Sequence, residues 1–191
     1  MDMSGILVER EGPLGWLVLN RPEKLNALCT DMWRCIHHRL EELERDESIR
    51  VILVRGAGEQ AFSAGADIAE LRERINTPGE TAVESGATER ALLALSNAAK
   101  PTIGVICGRC LGGGCAIALA LDLRIASMDA TFGLTPARLG IGYPLTAMER
   151  AVHELGPGAA RQLFLTARHI DARRAYDMGL VQELHEGEGL F

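Results

Sequence analysis

Two stretches of small residues carry the backbone amides in this chain that are best suited to binding an anion. The first is Gly65-Ala66-Asp67, and the second is the triple glycine 112–114, which follows a buried apolar run. Each stretch is predicted to join a strand to a helix, so the first amides of that helix lack a partner within it. The start of a helix also carries the positive end of its dipole. We predict that the amides of Ala66 and Gly113 bind an anion or a developing oxyanion. The alternative for the triple glycine is tight packing of a helix on a sheet.

The elements that must position these stretches alternate between predicted strands and helices. A short turn at 11–15 indicates a hairpin between the first two strands. Thr30 is the predicted N-cap of the first helix, and Asp171 caps the last. Strands are predicted at 6–9, 16–20, 51–54, 102–107, 131–132 and 181–184, and a further strand ends the stretch 101–126 after its buried helix. Helices are predicted at 30–46, from about 67 to 75, and at 91–98, 115–120, 145–154, 158–167 and 171–178, with a polar loop or frayed helix start at 77–89.

Composition predicts a single globular domain over residues 1–191, with 47% apolar residues and a net charge of −6. The acidic balance argues against nucleic acid and anionic membranes as partners. The longest uncharged apolar stretch, 110–121, is too short to span a bilayer, and the N-terminus lacks the basic start of a signal peptide. We expect a cytoplasmic protein without a membrane partner.

The five cysteines include a CxxC pair, Cys107 and Cys110, with Cys115 close behind. No second pair or histidine cluster follows at the spacing of zinc ligands, so no metal site is predicted. Buried, reduced thiols are the favoured interpretation, and a redox pair is the alternative. The run 108–112 also fits a nucleophile elbow with Cys110 in place of serine, which would make the chain a hydrolase. Candidate partners for that triad are Asp122, Asp129, His153, His169 and His185.

Five segments together resemble one known family of proteins. They are NRPEKLNAL at 20–28, AFSAGADIAEL at 61–71, KPTIGVICGRCLGGGCAIALALDLRIAS at 100–127, ATFG at 130–133 and ARHIDARRAYDMGLV at 167–181. In this order they resemble the crotonase superfamily, the enoyl-CoA hydratase/isomerase family. The resemblance implies an α/β fold built as a spiral of ββα units. It also implies assembly into a homo-oligomer, a trimer or hexamer. Compared with the family, the chain is expected to lack most of the C-terminal helical segment.

The resemblance also implies a site and a substrate. The substrate is an acyl-CoA thioester, so coenzyme A enters as part of the substrate and no separate cofactor is expected. The amides of Ala66 and Gly113 then hold the thioester oxygen, and Lys24 or Arg21 meets a phosphate. Matching positions that line the substrate are Lys24, Leu25, Ala27, Ala64, Asp67, Ile68, Leu111, Gly112, Ala116, Pro136, Ala137 and Gly140.

The chain departs from the family at two positions that matter for catalysis. Hydratases of the family carry two glutamates, and here Ala116 and Ala137 stand at those positions. A methyl group can neither accept nor donate a proton. Decarboxylation of a malonyl-type thioester needs no proton removed from carbon, and the loop 135–144 resembles that of methylmalonyl-CoA decarboxylases. We therefore favour a decarboxylase-like lyase, in which Tyr143 orients the carboxylate or helps to reprotonate the enolate. The alternatives are a hydratase or isomerase that uses another base, and an acyl-CoA-binding protein without activity.

Overall fold

A computed structural model describes residues 5–75 and 80–186 of the protein. The strands in these ranges are β1 (Ile6–Glu11), β2 (Leu14–Leu19), β3 (Val51–Gly56), β4 (Ala61–Ser63), β5 (Thr102–Ile106), β6 (Arg109–Leu111), β7 (Leu123–Ser127), β8 (Thr131–Gly133), β9 (Ile170–Asp171) and β10 (Glu183–His185). The helices are α1 (Thr30–Arg45), α2 (Ile68–Ile75), α3 (Glu80–Ser96), α4 (Gly113–Ala120), α5 (Pro136–Leu139), α6 (Leu145–Thr166) and α7 (Ala172–Asp177).

The strands form two sheets. The larger has the order β1-β2-β3-β5-β7-β10, and the smaller has the order β4-β6-β8-β9. The predicted hairpin is present, because β1 and β2 pair antiparallel through the turn that contains Gly12. All other pairs in the larger sheet are parallel. In the smaller sheet β4, β6 and β8 are parallel, and β9 closes it antiparallel.

The connection between the sheets gives the fold its repeating unit. The first strand of each unit joins the larger sheet, the second joins the smaller sheet, and a helix follows. The units are β3-β4-α2, β5-β6-α4 and β7-β8-α5. This is the predicted α/β spiral of ββα units, and the prediction is confirmed. Each turn from the second strand into the helix lies at the end of a strand in the smaller sheet, which brings the corner after β4 beside the corner after β6.

The helix α4 is at the centre of the core. All of its residues from Gly114 to Ala120 are buried, since small and apolar residues cover every face. It contacts α3, α6, β4 and β6. The corner that precedes α4 is therefore anchored to the most enclosed helix of the core.

One prediction about a helix start is wrong. Thr30 is not the N-cap of α1, because Cys29 occupies that position without a side-chain cap. The Thr30 amide and hydroxyl instead donate to the carboxylate of Glu70, on α2, a residue outside the local pattern. The two helices predicted at 145–154 and 158–167 are the two parts of α6, which are separated by a kink at the non-helical Gly156 (φ +75°). The Asp171 cap is confirmed by its bond from the Arg174 amide.

The segment 77–89, predicted as a polar loop or a frayed helix start, is helical from Glu80 onwards, within α3. Residues 77–79 lie outside the described residues. The helix is held by an apolar face that includes Ala87, Ala91 and Leu95, all buried. In the described part of the chain, no helix is long and apolar enough to cross a membrane.

Candidate active site

The first corner consists of residues 64–67, after β4, and three of its four backbone amides donate to acceptors within the chain. The Gly65 amide donates to Ser63 Oγ at 3.1 Å, and the Ala64 amide donates to the Leu25 carbonyl at 2.9 Å. The Asp67 amide donates to the Leu28 carbonyl at 3.0 Å. Among the hydrogen bonds of the described residues, none uses the amide of Ala66 as donor. Ala66 as a residue is partly exposed.

The second corner consists of residues 112–114, after β6, and it likewise contains an amide without an acceptor in the described residues. Gly112 is the N-cap, with φ +48° and ψ −119°, a conformation that L-residues rarely adopt. Its amide donates to the Gly133 carbonyl at 2.8 Å, and its carbonyl accepts the first helical bond, from Ala116, at 3.0 Å. In the described ranges no hydrogen bond uses the amide of Gly113, which is the first residue of the helix and partly exposed.

The two corners touch through their glycines. A Cβ atom added at Gly65 would lie 3.0 Å from the Leu111 carbonyl oxygen and 3.5 Å from Gly112 Cα. Gly65 has φ +97°, so both its conformation and its surroundings require glycine. A Cβ atom at Gly114 would lie 2.7 Å from Ser63 Cβ. Ala66 and Gly113 each follow directly after one of the touching glycines.

Leu28 connects the two free amides. It forms an isolated parallel bridge with Ala66, and its amide donates to the Gly65 carbonyl at 2.7 Å. Its side chain reaches the second corner, because a Cβ atom at Gly113 would lie 2.9 Å from Leu28 Cδ1. The loop 20–28 is thus part of the site, and its residues were predicted only through the family resemblance.

An ion-pair cluster supports the first corner from the loop side. The Asp67 carboxylate accepts bonds from Arg21 at 2.9 Å and from Lys24 at 3.1 Å. Burial alone would raise its pKa, but the bonds from Lys24 and Arg21 lower the pKa of Asp67 to about 2. Asp67 also caps α2, because its Oδ1 accepts from the Ala69 amide at 3.1 Å. The predicted phosphate partners Lys24 and Arg21 are therefore already paired within the chain.

Asn26 is a structural residue of the site that the sequence reasoning missed. It is fully buried and has φ +54°. Its Nδ2 donates to the carbonyls of Ala57 and Ala61, at 3.0 and 2.8 Å, and its Oδ1 accepts from the Arg21 amide at 3.0 Å. These bonds tie the loop to the strands that lead into the first corner. An asparagine inside an otherwise irregular loop was the available signal, because asparagine tolerates positive φ.

Tyr143 approaches the second corner from the loop between α5 and α6. Its hydroxyl donates to the Gly112 carbonyl at 2.6 Å, and its ring packs edge-on against Phe164 with centroids 5.3 Å apart. Burial raises the pKa of Tyr143 well above its ordinary value. In this structure the hydroxyl proton is directed to the protein backbone. The proposed contact of this proton with a substrate carboxylate or an enolate stays a prediction.

The two alanines that replace the family's glutamates lie in different surroundings. Ala116 is buried in the first turn of α4, and Ala137 is exposed on α5. The remaining predicted substrate residues differ in their exposure. Leu25, Ala27, Ala64, Leu111 and Gly112 are partly buried, Pro136 is buried, and Ile68 and Gly140 are exposed.

The hydrolase hypothesis is wrong on geometry. Cys110 lies within β6 and is fully buried, so it is not at an exposed turn between strand and helix. Burial raises the pKa of the Cys110 thiol well above its ordinary value. Asp122 and Asp129, two proposed triad members, bond to Thr102 and Ser127. A nucleophilic cysteine must be accessible to its substrate and must form a thiolate. Cys110 meets neither requirement, because it is buried and its pKa is raised.

The two sheets joined by ββα units, with the glycine corners between them, have the architecture that the resemblance to the crotonase superfamily implies. The model of a family described as enoyl-CoA hydratase/isomerase matches residues 9–190. The short-chain-enoyl-CoA hydratase of Clostridium acetobutylicum is 36% identical over 97% of this chain and 70% of its own length. The crotonyl-CoA hydratase of Syntrophomonas wolfei is 36% identical over 100% of this chain and 72% of its own.

Solved structures agree with the sequence relatives. An enoyl-CoA hydratase/carnithine racemase from Magnetospirillum magneticum superposes with a TM-score of 0.94 at 31% identity, over 100% of this chain and 70% of that one. This chain belongs to the enoyl-CoA hydratase/isomerase family. It spans about 70% of the length of the first relatives that it matches. The narrower resemblance to methylmalonyl-CoA decarboxylases stays a prediction.

Proposed function

We propose that this chain is an acyl-CoA enzyme that holds the thioester oxygen of its substrate with the amides of Ala66 and Gly113. The observation that carries the proposal is the contact between the two glycine corners, next to which these two amides have no hydrogen-bond acceptor in the described residues. Buried or partly buried amides in proteins are normally paired. Two unpaired amides on corners that are in contact therefore favour a ligand that accepts from both.

Such a pair of donors acts on the charge that develops during reaction. When a thioester becomes an enolate, negative charge collects on its carbonyl oxygen, and fixed amides stabilise that charge without reorganising. Loss of one donor of this kind costs about 10²–10³ in kcat. The dipole of α4, whose first residue is Gly113, adds to the same effect.

Hydration of an enoyl thioester is the reaction that the relatives favour, since two of them are named as hydratases. Water adds across the carbon–carbon double bond, and the thioester oxygen carries the charge until a proton reaches the α-carbon. The alanines at 116 and 137 carry no proton, so another group must activate the water. The favoured function is thus an enoyl-CoA hydratase whose base differs from the two glutamates of the family resemblance.

Decarboxylation is the second candidate, and the two alanines are the observation that favours it. When a malonyl-type thioester loses CO₂, the electron pair of the broken carbon–carbon bond moves toward the thioester carbonyl and forms the enolate. No base removes a proton in this step. The oxyanion donors alone then supply the stabilisation, and a proton from water or a nearby acid completes the product.

The experiment measures the turnover of crotonyl-CoA and of methylmalonyl-CoA by two variants that differ only at position 113. Crotonyl-CoA reports hydration through loss of the conjugated thioester absorbance, and methylmalonyl-CoA reports decarboxylation through formation of propionyl-CoA. Gly113→Pro removes the amide at a helix position where proline is tolerated, whereas Gly113→Ala keeps it. Both variants add a Cβ atom near Leu28 and Trp33, and Gly113→Pro differs from Gly113→Ala in its missing N–H and its ring atoms.

The expected result is turnover that falls about 10²–10³-fold more in Gly113→Pro than in Gly113→Ala. Equal activity in the two variants would show that the Gly113 amide is not a donor to the reacting oxygen. Acyl-CoA binding without product on either substrate would support the reading of a binding protein. The predicted trimer or hexamer is a separate proposal that light scattering measures.

A further inference from the structure

The carbonyl that Tyr143 binds belongs to the same peptide group as the proposed Gly113 donor. A peptide unit consists of the carbonyl of one residue and the amide of the next, so the Gly112 oxygen and the Gly113 nitrogen share one conjugated plane. The Tyr143 hydroxyl donates to that oxygen at 2.6 Å. A hydrogen bond to the carbonyl of a peptide polarises it and strengthens the bond that its N–H donates on the other side.

We propose that Tyr143 is a positioning residue that orients and polarises the Gly112–Gly113 peptide, so that its amide binds the thioester oxygen more strongly. This inference rests on the proposed function, and it assigns Tyr143 an action through the backbone rather than on the substrate carboxylate.

The first effect of the Tyr143 hydroxyl is to fix the orientation of the Gly112–Gly113 peptide. Glycine residues flank this peptide on both sides, and Gly112 has φ +48° and ψ −119°. Since glycine has few steric limits, rotation of the peptide plane between two glycines meets little resistance from side chains. The Gly112 oxygen is held by two donors, the Ala116 amide at 3.0 Å and the Tyr143 hydroxyl at 2.6 Å. The bond from the Ala116 amide uses one lone pair of the Gly112 oxygen, and the bond from the Tyr143 hydroxyl uses the other.

The hydroxyl is itself held firmly. Its ring makes an edge contact with Phe164, at an interplanar angle of 68°, and Phe164 lies on α6. Burial also keeps the phenol protonated, because it raises the pKa of Tyr143 well above its ordinary value. The hydroxyl therefore keeps its proton and remains a donor at neutral pH.

The experiment uses Tyr143→Phe, which removes the hydroxyl and keeps the ring. The matched control is Tyr176→Phe, since Tyr176 is the other tyrosine of the chain and is 45% exposed. Each protein is saturated with butyryl-CoA that is isotope-labelled at the thioester carbonyl, a ligand with no double bond to hydrate. Difference infrared spectroscopy then measures how far the carbonyl stretch moves to lower frequency on binding, which reports the strength of its hydrogen bonds.

We expect Tyr143→Phe to weaken the bond from the Gly113 amide by about 10–30%. Because this amide is one of two donors, the carbonyl shift should fall by about 5–15%, and Tyr176→Phe should lose none. The loss of about 10–30% of one donor's effect predicts that kcat falls about two- to eightfold, with KM nearly unchanged. A purely structural role would lower the unfolding midpoint without changing the carbonyl frequency of the folded, liganded protein.

Failure of the proposed function and failure of the Tyr143 role give different results. If the unmodified protein does not bind butyryl-CoA or gives no carbonyl shift, the proposed function itself is overturned and this inference with it. If the unmodified protein gives the shift and Tyr143→Phe gives an equal one, the role of Tyr143 alone is overturned.

Discussion

Gly65→Ala is the substitution that tests the contact between the corners most severely. Gly65 has φ +97°, and the added Cβ atom would lie 3.0 Å from the Leu111 carbonyl oxygen and 3.5 Å from Gly112 Cα. These neighbours are backbone atoms and cannot rotate away. The substitution must therefore strain Gly65 itself or push the second corner away from the first.

The size of the effect follows from two contributions. An alanine held at positive φ costs about 1–2 kcal/mol relative to glycine. Crowding against packed atoms adds about 1–3 kcal/mol. Gly12→Ala is the control for the first contribution, because Gly12 has φ +56° in the hairpin turn and nothing lies within 4 Å of its added Cβ atom. The expected loss of unfolding free energy is about 2–5 kcal/mol for Gly65→Ala and about 1–2 kcal/mol for Gly12→Ala.

The assay combines urea unfolding with thioester turnover by the folded fraction. Gly12→Ala is expected to keep the kcat of the unmodified protein, whereas Gly65→Ala loses about 10²-fold or more because the two donors move apart. Equal destabilisation by both substitutions would refute the close contact of the corners. A strongly destabilised Gly65→Ala variant with unchanged kcat would refute the role of that contact in catalysis.

Three further predictions follow from the surrounding residues. Because the pKa of Asp67 is lowered to about 2, its ion pairs contribute fully above pH about 4 and are lost as the pH falls toward 2. The stability advantage over Asp67→Asn, at most about 2 kcal/mol in urea titrations, is therefore constant from pH 5 to 8 and shrinks below pH 4; an advantage independent of pH down to 2 contradicts the ion pairs. The buried Cys110 thiol is expected to react with iodoacetamide more slowly than the partly exposed Cys107 in the native protein, as peptide mass spectrometry measures; faster labelling at Cys110 contradicts its burial. Ala137→Glu, at an exposed position, is expected to raise hydration of crotonyl-CoA by about 10²-fold over Ala137→Gln, and equal rates would show that a carboxylate there does not reach the substrate.

Much of the fold was predictable because long elements carry their own periodicity. Met32, Ile36, Leu40 and Leu43 form the buried stripe of α1, and the apolar run before Gly108 is the central strand β5. The short strands β4, β6 and β9 were not predicted, since two or three residues hold no repeat. They exist because neighbouring strands of the smaller sheet pair with them.

The candidate site was predictable only in part, because its geometry depends on contacts between distant segments. The spacing of small residues indicated Ala66 and Gly113 as donors, but the glycine contact that brings their corners together appears only in three dimensions. Asn26 supports the first corner through bonds to residues 31 and 35 positions away in the chain. Glu70 supports the start of α1 through a bond that crosses 40 positions. The hydrogen bond from Tyr143 to Gly112 likewise crosses 31 positions, so the sequence indicated the residue but not its partner.

A crystal structure with butyryl-CoA bound would show whether both amides hold the thioester oxygen. We predict that this oxygen lies about 2.7–3.1 Å from both the Ala66 nitrogen and the Gly113 nitrogen. A thioester oxygen bound by only one of these amides, or bound elsewhere in the chain, would contradict this prediction.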